Sequence, residues 1–149
     1  MTLFTIGYEQ AKSASVIEEL KRAGVGLVVD TRAVAASRRP GFSKRQLAAG
    51  LDEAGIGYLH LQKLGTPKEG RDAARSGNLT RLFDLYEKHL ATPEAREQLD
   101  ELTTIAQSGR AVCLLCYERD VGHCHRRRIA EIVCERTGLA VEHLAAPLY

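Results

Sequence analysis

Gly26-Leu27-Val28-Val29-Asp30 is an apolar run closed by a carboxylate, and Ala111-Val112-Cys113-Leu114-Leu115-Cys116-Tyr117 is a longer run of the same kind. Neither alternates apolar with polar residues. A strand with no polar side is covered on both faces, the habit of parallel sheets flanked by helices. Working outward, Leu3 to Ile6 is a short strand ended by Gly7. Ser15-Val16-Ile17-Glu18 has the form of a capping box, and the helix it opens buries Val16, Ile17 and Leu20 and stops at Gly24. Ser43 caps a helix carrying Leu47, Leu51 and Ala54, closed by Gly55. Ile56 to Leu61 is a third strand, with His60 inside it. Leu64 to Gly77 holds three glycines, a proline and mixed charge, and reads as a loop. Asn78 to Leu90 is a helix with Leu79, Leu82, Phe83, Tyr86 and Leu90 at helical spacing. Thr92-Pro93 starts the next helix, lined by Leu99, Leu102 and Ile105. His125 to Arg136 is helical with Gly138 as its stop, and Val141 to Leu144 is a last strand. The order β-α-β-α-β-α-α-β-α-β predicts a single α/β domain over residues 1–149. Its architecture is three-layer α/β/α, with a mostly parallel sheet of about five strands.

The chain has 149 residues, 44% apolar and 27% charged, which suits one globular domain with a real core. No apolar run approaches the roughly 20 residues of a membrane span. Met1 to Tyr8 lacks a basic segment and a long apolar stretch, so it does not read as a signal peptide. The expected location is the cytoplasm, with no membrane partner. A net charge of +2 is too small to mark a nucleic-acid binder by itself, and with 5% aromatic residues and no Trp a base-stacking platform is disfavoured.

In a parallel α/β sheet the ligand site lies beyond the carboxyl ends of the strands. Four segments stand there: Gly7-Tyr8-Glu9, Asp30 to Arg45, Gln62 to Pro67, and Cys116 to Arg128. Asp30 at the end of a buried strand, with Arg32 beside it, reads either as a catalytic or ligand-orienting carboxylate or as a structural pair. Arg38 joins Arg32 as a candidate anion holder, whereas Arg39, Lys44 and Arg45 read as solvated loop. Glu118 ends its strand as Asp30 does, and two carboxylates meeting there would titrate apart and divide acid and base roles. Cys124, His125 and Arg126 open a helix, where free N–H groups and the positive dipole end favour an anion. Three consecutive arginines at that end imply an anionic ligand, with Arg126 the best placed, and Arg127 and Arg128 reading as solvated surface. Gly7 and Tyr8 follow the first strand and are candidate pocket residues.

Four cysteines in a chain read as cytoplasmic are thiols, metal ligands or core residues before they are disulfides. Cys113 and Cys116 spell C-x-x-C, but an odd separation along a strand points the two thiols apart. Cys113 therefore reads as core and Cys116 as able to reach the site. Cys113 to Arg119 also has the phosphatase spacing C-x5-R, set aside because Leu114 and Leu115 read as strand. Cys116, His123, Cys124 and His125 are metal ligands by type, but their spacing is that of no known finger or ribbon. Cys124 at a helix N-terminus is a reasonable nucleophile. Cys134 reads as packing, His60 as a satisfied core histidine, and His89 and His143 as surface.

Taken in order, Thr5-Ile6-Gly7-Tyr8, Asp30-Thr31-Arg32, Arg39-Pro40-Gly41-Phe42-Ser43, Tyr58-Leu59-His60-Leu61 with Leu64-Gly65, and Leu115-Cys116-Tyr117-Glu118 with Cys124-His125-Arg126 form a set. The set resembles the domain-of-unknown-function family 488 over nearly the whole chain. Tyr117 stands where a small residue is more usual. The resemblance implies an α/β domain with these motifs gathered at one end of the sheet, and it implies no particular activity.

The leading expectation is a small enzyme acting on an anionic, phosphate-bearing substrate, a nucleotide or nucleic acid. Asp30, Glu118, Cys116 and Cys124 are the catalytic candidates. Gly7, Tyr8, Arg32, Arg38, His125 and Arg126 are the ligand-binding ones. No cofactor or metal is predicted. One alternative is a non-catalytic module binding a phospho-ligand or nucleic acid. The other is a metal or redox protein built on Cys116, Cys124 and the histidines.

Overall fold

The computed structural model describes residues 1–148. Its strands are β1 (Thr2–Gly7), β2 (Leu27–Asp30), β3 (Gly57–His60), β4 (Val112–Cys116) and β5 (Ala140–Leu144). Its helices are α1 (Ser13–Arg22), α2 (Lys44–Glu53), α3 (Lys68–Arg75), α4 (Leu79–Leu90), α5 (Pro93–Ala106) and α6 (His125–Thr137). The strands form one sheet in the order β3-β2-β4-β1-β5, and every neighbouring pair is parallel. The sheet is thus wholly rather than mostly parallel.

Helices cover both faces, as continuous apolar strands require. Val16 and Leu20 of α1 and Leu47 and Leu51 of α2 pack with Val28, Cys113 and Leu115 on one face. Tyr86 of α4, Leu99 and Leu102 of α5, and Ile129 and Val133 of α6 pack with Val29, Val112 and Leu114 on the other. Adjacent β4 residues therefore serve opposite cores, and β4 is buried at every position. Each fully buried Leu contributes roughly 1.5–3 kcal/mol by leaving water.

The topology fixes where a crevice opens. The chain leaves β1 through α1 toward β2, and leaves β4 through α6 toward β5 on the other flank. These crossovers lie on opposite faces, so the connections diverge above the neighbouring carboxyl ends of β1 and β4. That is the topological switch point where ligands sit in open α/β sheets. Gly7 pairs with Cys116 at this place.

Two local readings change. The stretch read as a loop over 64–77 begins at the end of a short 3-10 turn, Gln62–Leu64, and contains the helix α3. Among α3 residues only Gly70 and Ala73 are buried, so no large apolar stripe marks the helix in the sequence. Helix α1 begins at Ser13 behind Lys12, two residues before the expected capping box. The chain has already turned there, with the Ala11 N–H donating to the Tyr8 carbonyl (3.0 Å) and Val16 N–H to the Lys12 carbonyl (3.0 Å). Among the described residues no helix is long and apolar enough to cross a membrane.

Candidate functional site

A cleft of about 620 Å³ opens beyond the carboxyl ends of β1 and β4, walled by Glu9, Arg71, Arg75, Glu118, Asp120 and His125 among others. A smaller cavity of about 130 Å³ shares Thr66, Arg71, Tyr117, Glu118 and His125 with it and reaches Tyr8, Arg32 and Cys116. The backbone that makes room is specific. A Cβ on Gly7 would collide with the Glu118 carbonyl, and one on Gly65 with the backbone of Ala33. Gly7 thus lets the loop after β4 lie across the end of β1.

Asp30 and Arg32 belong to a closed network. Asp30 is 0% exposed. It accepts from Arg32 Nε (2.9 Å), Arg32 Nη2 (2.7 Å), the Arg32 backbone N–H (3.0 Å) and the Tyr58 hydroxyl (2.5 Å). Arg32 also donates to the Tyr8 hydroxyl (3.0 Å) and the Phe42 carbonyl (2.7 Å). Burial works against the Arg32 charge, but the bonds and charge of Asp30 outweigh it and raise its pKa. Burial and the Asp30 bond raise Tyr58 as well. Tyr8 stacks on Phe42 with ring centroids 4.3 Å apart. The two side chains are thus tied to each other, and Arg32 also lines the small cavity. Asp30 faces Arg32 and Tyr58, while the charges acting on Glu118 are those of Arg126, Glu9 and His123. Arg38 is exposed on the loop before α2. Arg39, expected in solvent, donates to the Tyr8 carbonyl (2.7 Å) and lies over the Phe42 ring.

His125 is held as the neutral ring. Its Nε2–H donates to the Thr31 carbonyl (2.9 Å), so Nδ1 is the acceptor for the Thr66 hydroxyl (3.0 Å). Burial pushes its pKa down to about 4. It ties α6 to the ends of β2 and of the 61–67 segment. His123 is exposed beside Asp120 (3.7 Å), whereas His125 Nδ1 lies 4.0 Å from the Cys124 sulfur.

The three arginines of α6 find partners inside the protein. Arg127 lies over the Phe83 ring, and Arg128 pairs with Glu87 and Glu131. Arg126 is 1% exposed. Its partners are the Thr5 hydroxyl (3.2 Å), the Cys116 sulfur (2.9 Å), the Arg119 carbonyl (3.1 Å) and the Glu118 carbonyl, with no carboxylate among them. Burial lowers its pKa to about 10. Arg127 and Arg128 therefore give no argument for an anion at the helix end, whereas Arg126 has no carboxylate bonded to it.

Cys116 and Cys124 are joined by a disulfide, against the expectation of separate thiols. The sequence hides this because eight residues separate them, and only the loop over β1 folds Cys124 back onto the end of β4. Cys124 also caps α6, its sulfur accepting from the Arg126 N–H (3.5 Å). Glu118 Oε2 lies 3.7 Å from Cys116 Sγ, and burial raises the Glu118 pKa. Cys113 is buried in the core and its thiol is pushed up by burial, as expected of a packing residue. Cys116, Glu118 and Cys124 form a group whose donor atoms all lie within 4.8 Å of one another. They are the residues that would offer a thiophilic metal its ligands, but the Arg126 guanidinium sets a fixed cation against one of the sulfurs.

Sequence reasoning placed Glu9 and Thr66 in strand-end segments without giving either a role, and missed Arg71 and Arg75. Arg71 and Arg75 stand four residues apart, which places both on one face once the segment is known to be helical.

The sequence model of the family described as domain of unknown function DUF488 matches residues 12–133. The chain belongs to this family. No curated protein and no solved structure matches it. In this DUF488 chain the motifs at one end of the sheet supply the disulfide, the buried Arg126 and the Asp30–Arg32 pair.

Proposed function

We propose that this DUF488 protein is an enzyme whose reduced form uses Cys116 as a nucleophile on a substrate held in the cleft. One observation carries the reading: a fully buried guanidinium, Arg126, lies 2.9 Å from Cys116 Sγ and has no carboxylate partner. A buried cation is costly unless an anion faces it. The Glu118 charge also acts on Arg126, but a Cys116 thiolate would be the anion in direct contact with it, so Arg126 favours the reactive form of the sulfur. Glu118, 3.7 Å from that sulfur and raised by burial, is suited to hand a proton to a leaving group.

The substrate is expected to carry an anionic group, as a phosphate ester does. Arg71 supports this part, since it lines both cavities and its guanidinium donates from Nη1 to a neutral acceptor, the Thr66 carbonyl (3.1 Å). It takes the role that Arg32 and Arg38 were expected to fill.

The test is alkylation of Cys116 by iodoacetamide across pH, read by peptide mass on a Cys124→Ser variant. Half-maximal reactivity should fall below the ordinary thiol value of about 8.5. In an added Arg126→Lys variant, whose point charge cannot reproduce the fork of bonds, it should move back up. Ordinary titration of Cys116 with Arg126 intact would overturn the proposal. A panel of phosphate esters offered to the reduced protein then reads turnover, which Cys116→Ser must abolish.

A further inference from the structure

We infer that Cys116 and Cys124 form a reversible dithiol–disulfide couple that exchanges with a small thiol or disulfide entering from the cleft. The inference rests on the nucleophile reading and adds a co-substrate class and a second sulfur. Each sulfur has its own means of leaving as a thiolate. Cys116 faces the Arg126 guanidinium at 2.9 Å. Cys124 caps α6 and accepts its Arg126 N–H, at the positive end of a 13-residue helix. A lower thiol pKa makes a faster leaving group in exchange. Both residues are buried, and Cys116 is the one of the two that lines the small cavity. Cys113 and Cys134 have neither contact, and burial raises both thiols, outweighing the Arg126 charge at Cys113.

The steps balance. A small thiol gives its proton to the Glu118 carboxylate and attacks Cys116 Sγ. The bond from Cys116 to Cys124 breaks, a mixed disulfide forms on Cys116, and Cys124 leaves as a thiolate. A second small thiolate attacks the outer sulfur of the mixed disulfide and releases Cys116 as a thiolate beside Arg126. Two small thiols are oxidised to one disulfide, and the protein disulfide is reduced by the same two electrons. In reverse, a small disulfide oxidises the couple.

The full-length protein, equilibrated in buffers of reduced and oxidised glutathione, tests this. Free thiols are counted by alkylation and located by peptide mass. The count should pass between four and two as the buffer is oxidised, with Cys116 and Cys124 the pair that disappears. In Cys124→Ser, glutathione should remain on Cys116. In Cys116→Ser, Cys124 should take up little, since Cys116 is the one of the two that lines the small cavity. The inference falls if all four thiols persist in oxidised buffer, if another pair forms, or if the reduced native mass carries a retained zinc ion on these sulfurs. If Cys116 alkylates readily with a lowered titration but never pairs with Cys124, exchange fails and the nucleophile stands. If Cys116 is inert toward both reagents, the two readings fail together.

Discussion

At the scale of single residues, the site holds two buried arginines that solve the same problem differently. Arg32 is neutralised by Asp30, with the carboxylate wholly out of water. Removing one member of a buried pair leaves the other charge uncompensated, at a cost of about 3–5 kcal/mol. Asp30→Asn should therefore lower the urea midpoint sharply without changing the slope, while Arg38→Ala on the exposed loop should leave it nearly unchanged. Equal, small effects would mean that the network contributes nothing. His125 gives a pH prediction. Its pKa falls from an ordinary value near 6.5 to about 4 on folding. The unfolded chain then binds more protons between these values, so stability is full above pH 6.5 and declines as pH falls to 4. The shift corresponds to roughly 3 kcal/mol. Urea midpoints between pH 7 and 4 should fall more steeply for the wild type than for His125→Gln, which keeps a donor for the Thr31 carbonyl but does not titrate. Parallel pH profiles would refute it.

At the scale of elements, the decisive contact is between the end of β1 and the loop that follows β4. The Tyr8 N–H donates to the Cys116 carbonyl (3.3 Å) and the Glu9 N–H to the Tyr117 carbonyl (2.8 Å), continuing the ladder past the strands. Gly7 permits it, because any side chain there meets the Glu118 carbonyl. Gly7→Ala should destabilise the protein by about 1–3 kcal/mol, as overpacking does. It should also disturb the Arg126 contacts, since the Glu118 carbonyl is one of them. Thermal denaturation and the alkylation rate of Cys116 read the two effects separately, and a fully stable Gly7→Ala with unchanged Cys116 would remove the steric argument. Helix α3 matters in another way: with only Gly70 and Ala73 buried, it is a light wall that brings Arg71 to the cleft.

At the scale of the molecule, protection should follow the sheet order. β4 is central and buried at every position, whereas β5 is an edge strand exposed at four of its five positions. Hydrogen exchange followed by peptide mass should show β4 amides opening only with global unfolding and β5 amides exchanging far earlier. Equal protection of the two strands would contradict this layout. The divergence of the α1 and α6 crossovers explains why a small sheet of this order has its crevice above β1 and β4.

The sequence by itself determined the fold class, because Leu27 to Val29 and Val112 to Leu115 lack a polar side and can only be buried on both faces. It also determined which strand-end loops border the cleft, since the carboxyl ends of strands are readable once the strands are. The arrangement within those loops was decided by tertiary structure alone. Asp30 and Arg32 look the same in sequence whether they face a ligand or each other, and it is Tyr58 and Phe42, brought from elsewhere, that close their network. Helix α3 was illegible because tertiary contact with Gly70 and Ala73, rather than an apolar stripe, holds it. The pairing of Cys116 with Cys124, and the place of Arg126 beside them, depend on a loop crossing above Gly7. Burial and proximity between residues distant in the chain are set only when the sheet has assembled.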